Sequence, residues 1–496
     1  MSNTDRTQST SFSANGHIPT SFDHYLDGSL IPPEAAHAGR LAAETQHALL
    51  QQGISDEGNA QCTTLLYPGR FLHNDAFGWL YYDDRQWILD NAEATVDRSI
   101  VDTLTKRVAA ATQSGELEKY EKLVKFCIPN RPRVQGAKYL LQSLVVASPH
   151  EFDTEPDLLN CRNGVIDLRS GELHPHAPTP RFTHCATVDY IPDADAGPWE
   201  RWLLDAVGGD QGLVEWLQMA VGYSLTGHTN EEILFYLYGP PRAGKGLFTE
   251  TLLALLGPPL AKEVNFATFT AQRTGDSQNF DLAPLKPCRL VAASESNAYE
   301  RFNEAKVKAL TGGNEIYCAF KHRNHFNYRP QFKIWLSSNQ PVNADPDDDA
   351  VWGRIRLIEF PNSHLGKEDK RLKGRMKKPA MLQGVLVWAV QGAIKWYSLG
   401  GTGLPELEVS VQLKAKHRAD LDEVQAWLDE ECELGQHYFT SNSEIYQSYT
   451  QWCESNGVTP KKKKGLTQAL GRKRLTPTSK KIEGKTKRGI VGLRIV

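Results

Sequence analysis

The segment Ile233-Leu-Phe-Tyr-Leu-Tyr238, followed at once by Gly239-Pro-Pro-Arg-Ala-Gly244-Lys245, constrains this chain more than any other. A continuous apolar run of that length suits a strand buried on both faces of a mainly parallel sheet. After the loop, Leu247, Leu252, Leu253, Leu255 and Leu256 continue at helical spacing. The bare G-x-x-x-x-G-K pattern is common, and a helix-capping turn is its plain alternative. Strand, glycine loop and helix in direct succession give it meaning. Backbone N–H groups of such a loop surround phosphates, a helix N-terminus favours negative charge, and Lys245 reaches the β/γ oxygens. The expected nucleotide contacts run through Gly239, Pro240, Pro241, Arg242, Ala243, Gly244, Lys245, Gly246 and Leu247, with ATP and Mg²⁺ as the expected ligands. Where a Ser or Thr would normally hold the metal, this chain has Gly246, and Thr249 lies too far round the helix to replace it.

Three more short apolar runs follow, at Leu290–Ala293, Ile334–Leu336 and Ile355–Phe360. They predict further strands of the same sheet, hence an α/β core. Arg289-Leu-Val-Ala-Ala-Ser-Glu295 ends its run on an acid, which beside a γ-phosphate holds hydrated Mg²⁺ or orients the attacking water. The alternative is an ordinary acid at a strand end. Phe332-Lys-Ile-Trp-Leu-Ser-Ser-Asn339 ends on an amide that can hydrogen-bond the γ-phosphate, and its alternative is a turn-forming Asn before Gln340–Pro341.

The rest of the chain divides around this core. Residues 1–40, rich in Ser, Thr, Asn and Pro, are expected to be a disordered tail. Residues 41–150 read as a mixed α+β region, with a hairpin over Phe77–Trp87 turning at Asp83–Asp84 and helices over Val96–Ala111 and Leu117–Phe126. Residues 151–230 hold a second hairpin, turning at Ser170–Gly171, and a helical stretch from Trp199 to about Leu225. The core is expected over 231–365 and a helical linker over 366–435. Residues 436–496 read as a basic, winged-helix-like domain. It begins with the capping box Ser441-Asn-Ser-Glu444, continues through a basic helix near Lys461–Lys473, and ends in a hairpin over Lys480–Val496.

Charge sets the end of the chain apart. From Ser455 onward there are 13 Lys and Arg against the single acid Glu483, on a chain whose overall net charge is −3. A basic block on an acidic body points to a polyanionic partner, and a solvated charged face is the plainer alternative. Composition excludes collagen, coiled coil and wholesale disorder. No apolar run approaches the length of a membrane span, and no secretory signal is visible. The 8 cysteines form no CxxC pair, so a zinc ribbon or disulfide framework is not expected and a cytoplasmic setting is.

Taken in order, the motifs resemble the superfamily 3 helicases, in particular the phage/plasmid primase-helicase group that includes poxvirus-type helicase-primases. The series runs through the loop 239–246, Leu290–Glu295, Lys308-Ala-Leu-Thr-Gly-Gly-Asn314, Trp335–Asn339 and Ala350-Val-Trp-Gly-Arg354. Leu158–Leu168 and Trp216–Thr226 resemble the segment that precedes the helicase core. The resemblance implies an AAA+-like P-loop fold and a ring, expected to be a hexamer, that moves 3′ to 5′ on single-stranded or forked DNA. It implies catalytic roles for Lys245, for Glu295 as the acid that holds Mg²⁺ through water, for Asn339 as a polar sensor, and for Arg354 as an arginine finger acting in a neighbouring subunit, with Arg356 in reserve. It also implies DNA contacts from a hairpin carrying Lys321, His322 and Arg323. The C-terminal Lys461, Lys462, Lys463, Lys464, Arg472, Lys473 and Arg474 are expected to add duplex contacts. Asn314 stands where many members have Asp. No carboxylate cluster suited to primase chemistry is evident, since Asp83–Asp84 and Asp193–Asp195 lack partners, so a separate primase or polymerase is an expected partner. The rival reading is an ATP-regulated DNA-binding initiator with little unwinding.

Overall fold

The computed structural model describes residues 41–270, 281–294, 301–319, 325–367, 369–482 and 485–496. The expected tail, Glu295 and the Lys321–Arg323 hairpin tip lie outside the described residues. The described residues form two compact units, one holding residues 41–83 together with Ile88–Ser148, the other Asp84–Trp87 and those from Pro149 onward.

In the first unit, helices α1 (Ala43–Gln51) and α2 (Asp56–Leu66) precede the strands β1 (Phe71–Asn74) and β2 (Gly78–Tyr82). Asn74 shapes the turn between them, its Oδ1 accepting from the amides of Ala76 and Phe77 at 3.1 and 2.8 Å. This hairpin precedes the one expected from sequence. The long helix α3 (Ala92–Gln113) turns Val96, Ile100, Leu104 and Val108 into the core, with α4 (Glu121–Phe126) and α5 (Arg131–Leu144) around it. Arg107 is fully buried on α3 and donates to Asn59 Oδ1 at 2.6 Å.

The second unit opens with the antiparallel strands β3 (Leu158–Cys161), β4 (Gly164–Asp167) and β5 (Leu173–His174), in that order. The helical stretch after Trp199 is two helices, α6 (Gly197–Ala206) and α7 (Gln211–Leu225). Gly208 and Gly209, at φ of 74° and 85°, separate them, and Asp210 caps the second by accepting from the Leu213 amide at 2.9 Å.

The central sheet comprises β6 (Leu234–Tyr238), β7 (Ala261–Glu263), β8 (Leu290–Ser294), β11 (Lys333–Ser338) and β12 (Ile355–Glu359). Its spatial order is β12-β6-β11-β8-β7, and every pair is parallel. Alternation along the strands splits the core in two. Phe235, Leu237, Trp335 and Ile358 face one side, with α7, α8 (Lys245–Leu256) and α12 (Pro379–Ser398). Leu234, Tyr236, Ile334, Leu336 and Leu357 face the other, near α9 (Glu304–Thr311) and α10 (Asp349–Arg354). The four strands expected from apolar runs are present. The edge strand β7 was not expected, being short and carrying Lys262 and Glu263. Strands β9 (Ile316–Ala319) and β10 (His325–Tyr328) pair antiparallel as a separate hairpin.

Two expected boundaries move. The stretch expected as a linker contains α11 (Leu372–Met376) and the 20-residue α12, whose Val385, Leu386, Trp388 and Val390 sit in the same core as β6. Residues 159–261 share that core too, so the preceding segment is no separate body. Helix α13 (Glu408–Asp420) follows, and Ser410 Oγ accepts the amide of Leu357 on the edge strand β12 at 3.0 Å. The C-terminal block then begins earlier than expected. Val424, Trp427 and Leu428 of α14 (Glu423–Glu431) share a cluster with Ile445, Tyr449, Leu466 and Leu493. The block contains β13 (Cys432–Ser441), α15 (Asn442–Ser455), α16 (Lys463–Arg472), β14 (Pro477–Ile482) and β15 (Lys485–Ile495), with sheet order β13-β15-β14. Both halves of the capping box at Ser441 and Glu444 are formed. Among the described residues no helix is long and apolar enough to cross a membrane.

Candidate functional site

Strand β6 runs through the middle of the sheet and delivers the glycine loop at its carboxyl end. Gly239 takes φ 145°, and a Cβ there would meet the carbonyl oxygen of Phe360 at 2.2 Å, so only glycine lets the chain leave the strand beside β12. Arg242 holds the left-handed region at φ 61°, and Gly244, at φ 99°, lies against Trp202 as the helix begins. The segment after β12 wraps the loop from outside. Ser363 Oγ donates to Pro241 O at 2.8 Å and the His364 amide to Arg242 O at 3.2 Å. The first helical bond of α8 runs from the Phe248 amide to Gly244 O at 2.9 Å. The amides of Lys245, Gly246 and Leu247 precede it and have no partner within the helix, which leaves three donors and the positive end of the dipole at the mouth.

Lys245 is the centre of this arrangement. Its Nζ donates to Gly239 O at 2.7 Å, to Pro240 O at 2.8 Å and to Asn339 Oδ1 at 2.9 Å. The side chain is buried, and burial pushes the ammonium down to about 8. Asn339 comes from the end of β11, next to β6 in the sheet, so two residues 94 apart in sequence meet here. Among the described residues this ammonium is held by neutral oxygens, and with the three amides at the start of the helix it is suited to an anion that brings formal charge. In an open parallel sheet, ligands bind outside the carboxyl ends of the strands where the strand order reverses, and the loop leaves β6 at such a place.

The metal expectation meets a local difficulty. Gly246 has open space where a side chain would stand, and Thr249 spends its hydroxyl on Gly246 O at 3.1 Å. Among the described residues no cluster of three His, Cys, Asp or Glu could cage a metal.

Arg354 lies at the other end of the sheet. It ends α10 just before β12, whose Ile355 pairs with Leu234 at the start of β6. Five strand residues, about 16 Å, separate that level from the glycine loop. Arg354 Nη2 donates to Glu232 Oε2 at 2.6 Å and Nη1 to Ala350 O at 2.8 Å. Arg356, on β12, donates to Gly353 O at 2.7 Å, and burial lowers its pKa. Arg354 is thus a helix-terminal residue and Arg356 a strand residue, so the two do not share a strand face. Glu232 carried no signal in the sequence, because nothing in Glu231–Glu232 tells which acid points inward. Glu231 does so, accepting from Trp396 Nε1 at 2.7 Å and from the Leu404 amide at 3.0 Å.

The strands β9 and β10 flank the expected Lys321–Arg323 tip, and Tyr317 stacks on His325 at 4.8 Å beside it. In the C-terminal block the basic residues divide. Lys473 Nζ is committed to Asp422 Oδ2 at 2.5 Å and Gln425 Oε1 at 2.8 Å, Lys461 lies 3.8 Å from Glu423, and Arg472 pairs with Asp347 at 2.8 Å. Lys463 lies over the Tyr446 ring at 5.1 Å. Lys462, Lys464 and Arg474 complete the basic set on and around α16. Asp347 belongs to the acidic run Asp345–Asp349, which also receives Arg301, Lys308 and Arg418.

The chain is similar to several known proteins. The D5 N terminal like family matches residues 60–208, and a family of unknown function (DUF5906) matches residues 237–355. The putative helicase L207/L206 of Acanthamoeba polyphaga mimivirus is 27% identical over 234 residues, 46% of this chain and 24% of that protein. Putative helicase 022R of Frog virus 3 (isolate Goorha) is 24% identical over 163 residues, 32% of this chain and 16% of that protein. Replication protein E1 of European elk papillomavirus is 27% identical over 125 residues, 25% of this chain and 19% of that protein. The chain therefore spans about a quarter or less of each of these relatives. Among solved structures, an apo form of the NrS-1 C-terminal region aligns over 88% of this chain and 99% of that one, at TM-score 0.47 and 12% identity. The order of the five motifs in this chain, the two family matches and the viral relatives together support a likeness to the primase-helicase, superfamily 3-like helicases.

Proposed function

We propose that this chain is an ATP-driven DNA helicase of replication, acting as a ring of subunits, with a hexamer expected. The observation that carries the reading is the convergence of Lys245, Asn339 and the glycine loop at the carboxyl end of the central strands. In this reading the ATP phosphates displace the loop carbonyls from Lys245 and take its ammonium, with the amides of Lys245, Gly246 and Leu247 around them. Asn339 then turns from Lys245 to the γ-phosphate or the attacking water. Mg²⁺ neutralises phosphate charge when bound, and Glu295, beyond the end of β8, is the acid proposed to hold it through water. Arg354 sits too far from its own loop to serve it, which supports action on a neighbour's ATP. Lys321, His322 and Arg323 are proposed to grip one DNA strand through its phosphates. The viral relatives named helicases, and the one named replication protein E1, support the same reading.

The C-terminal block supports a second reading. The helix α16 and the hairpin β14–β15, which carry most of the basic residues behind the +12 charge, suit duplex DNA, as in a winged helix, and an initiator would use ATP to assemble on a site with little unwinding. ATPase rate with and without single-stranded DNA, measured beside oligomer mass with a non-hydrolysable ATP analogue, separates the two. A DNA-stimulated rate and a ring of about six subunits are expected for the helicase. A monomer whose ATPase ignores DNA would sink it. Lys245→Ala is expected to abolish turnover in either case.

A further inference from the structure

Arg354 is not idle in the single chain. Both of its terminal nitrogens are in use, Nη2 on Glu232 and Nη1 on the carbonyl of Ala350 one turn back on its own helix. Its Nε is buried without a partner, and the side chain is 21% exposed against 50% for Glu232. Glu232 is itself held in an unusual way. It takes φ 51°, in the left-handed region that a residue with a Cβ rarely enters, at the end of a turn in which its amide donates to Thr229 O at 3.0 Å. A non-glycine residue kept there points to a job for its side chain. Its neighbour Glu231 already supplies the structural bonds that tie this turn to Trp396 and Leu404. Glu232 contributes one thing, a carboxylate opposite the guanidinium.

We propose that Glu232 holds Arg354 in reserve, and that the finger becomes available only when a neighbour's phosphoryl group competes it away from this carboxylate. The inference rests on the helicase reading and adds a control to it. A carboxylate and a phosphoryl oxygen are rival acceptors for the same fork of N–H donors, and Arg354 cannot serve both with Nη2. The pair is partly exposed, so the restraint is weak, worth about a two- to five-fold effect on an equilibrium. Its size suits a threshold: an isolated subunit keeps its finger satisfied, while a packed ring with ATP in place offers a more highly charged acceptor.

The test uses the full chain and reads ATPase turnover per subunit against protein concentration. Glu232→Gln keeps the shape and removes the charge. Glu232→Asn is the second variant, since Asn accepts left-handed backbone readily and its shorter amide does not reach. Both are expected to reach half-maximal turnover at roughly two- to five-fold lower protein concentration than the parent, with binding of a fluorescent ATP analogue unchanged. Unchanged concentration dependence in both variants would overturn the proposal. Lower turnover with nucleotide binding intact would also overturn it, and would make Glu232 a residue that aims the finger. A parent chain whose ATPase is absent, or is unaffected by Lys245→Ala, overturns the helicase reading and this inference with it.

Discussion

Lys245 is a buried ammonium whose hydrogen-bond partners among the described residues are neutral oxygens. Burial lowers its pKa from 10.5 to about 8, so at neutral pH the folded protein carries a charge that it solvates poorly. Between those two values the unfolded chain holds a proton that the folded chain has lost, and stability therefore rises with pH across that window. Below about 8 both states are protonated and the contribution is flat. Thermal melts from pH 7 to 10 are expected to show the parent gaining on Lys245→Met above pH 8, with no relative change below it. An anion in the loop changes the balance. ATP is expected to raise the melting temperature of the parent and leave Lys245→Met unmoved, because the ligand stabilises only a state that binds it. Lys245 was legible in the sequence because a glycine loop joins an apolar strand to the helix it opens, and Asn339 because it ends an apolar strand with a polar group. Glu232 was not, because its role depends on which way a turn points two adjacent acids. Glu295 and Lys321–Arg323 lie outside the described residues, and their roles stay proposals.

Helices α7 and α12 show why the region around the sheet was less legible than the sheet itself. They meet at glycines: a Cβ on Gly222 would come within 2.0 Å of the Ala393 amide, and one on Gly392 within 1.9 Å of Gln218 O. Gly222→Ala is expected to push these backbones apart and cost about 1–3 kcal/mol, read as a lower urea midpoint. Nothing in a single glycine announces a partner 170 residues away, so α12 reads as a linker although it fills the core. Arg289 fixes the entry to β8 in a similar way. It is fully buried, with its guanidinium on the carbonyls of Glu155, Pro156 and Leu158. Arg289→Met removes these bonds, with the Pro156 carbonyl still accepting the Gly227 amide at 2.7 Å; at about 1–3 kcal/mol for each carbonyl left unsatisfied, it is expected to lower stability measurably in the same assay. The parallel strands were readable because burial on both faces leaves an unbroken apolar run. Strands β7 and β13 were missed because short or solvent-facing strands carry polar residues.

The molecule as a whole carries the proposed phosphate site and the proposed finger at opposite ends of one sheet. If ATP is shared between subunits, mixing Arg354→Ala with Lys245→Ala is expected to restore part of the ATPase activity that each lacks alone. No recovery at any mixing ratio would count against a shared site. Any test of the C-terminal block should cut at Asp422, since α14 belongs to the same cluster and Trp427 Nε1 donates to Ser448 Oγ at 3.0 Å. Loss of residues 422–496 is expected to remove duplex DNA binding, seen by fluorescence anisotropy, and to spare nucleotide binding.

The acidic run Asp345–Asp349 bears on the chain's behaviour in different solutions. Arg301, Lys308, Arg418 and Arg472 reach it from four places, and Arg472 alone comes from the C-terminal block. Pairs this exposed are screened by mobile ions, with a Debye length of about 8 Å at physiological ionic strength and about 3 Å at 1 M. The run leads directly into α10, which ends at Arg354. Ionic strength thus acts on the seating of the basic block and on the approach to the finger through one stretch of five residues. Buffer salt becomes an experimental handle on how firmly those two parts of the chain are held to each other.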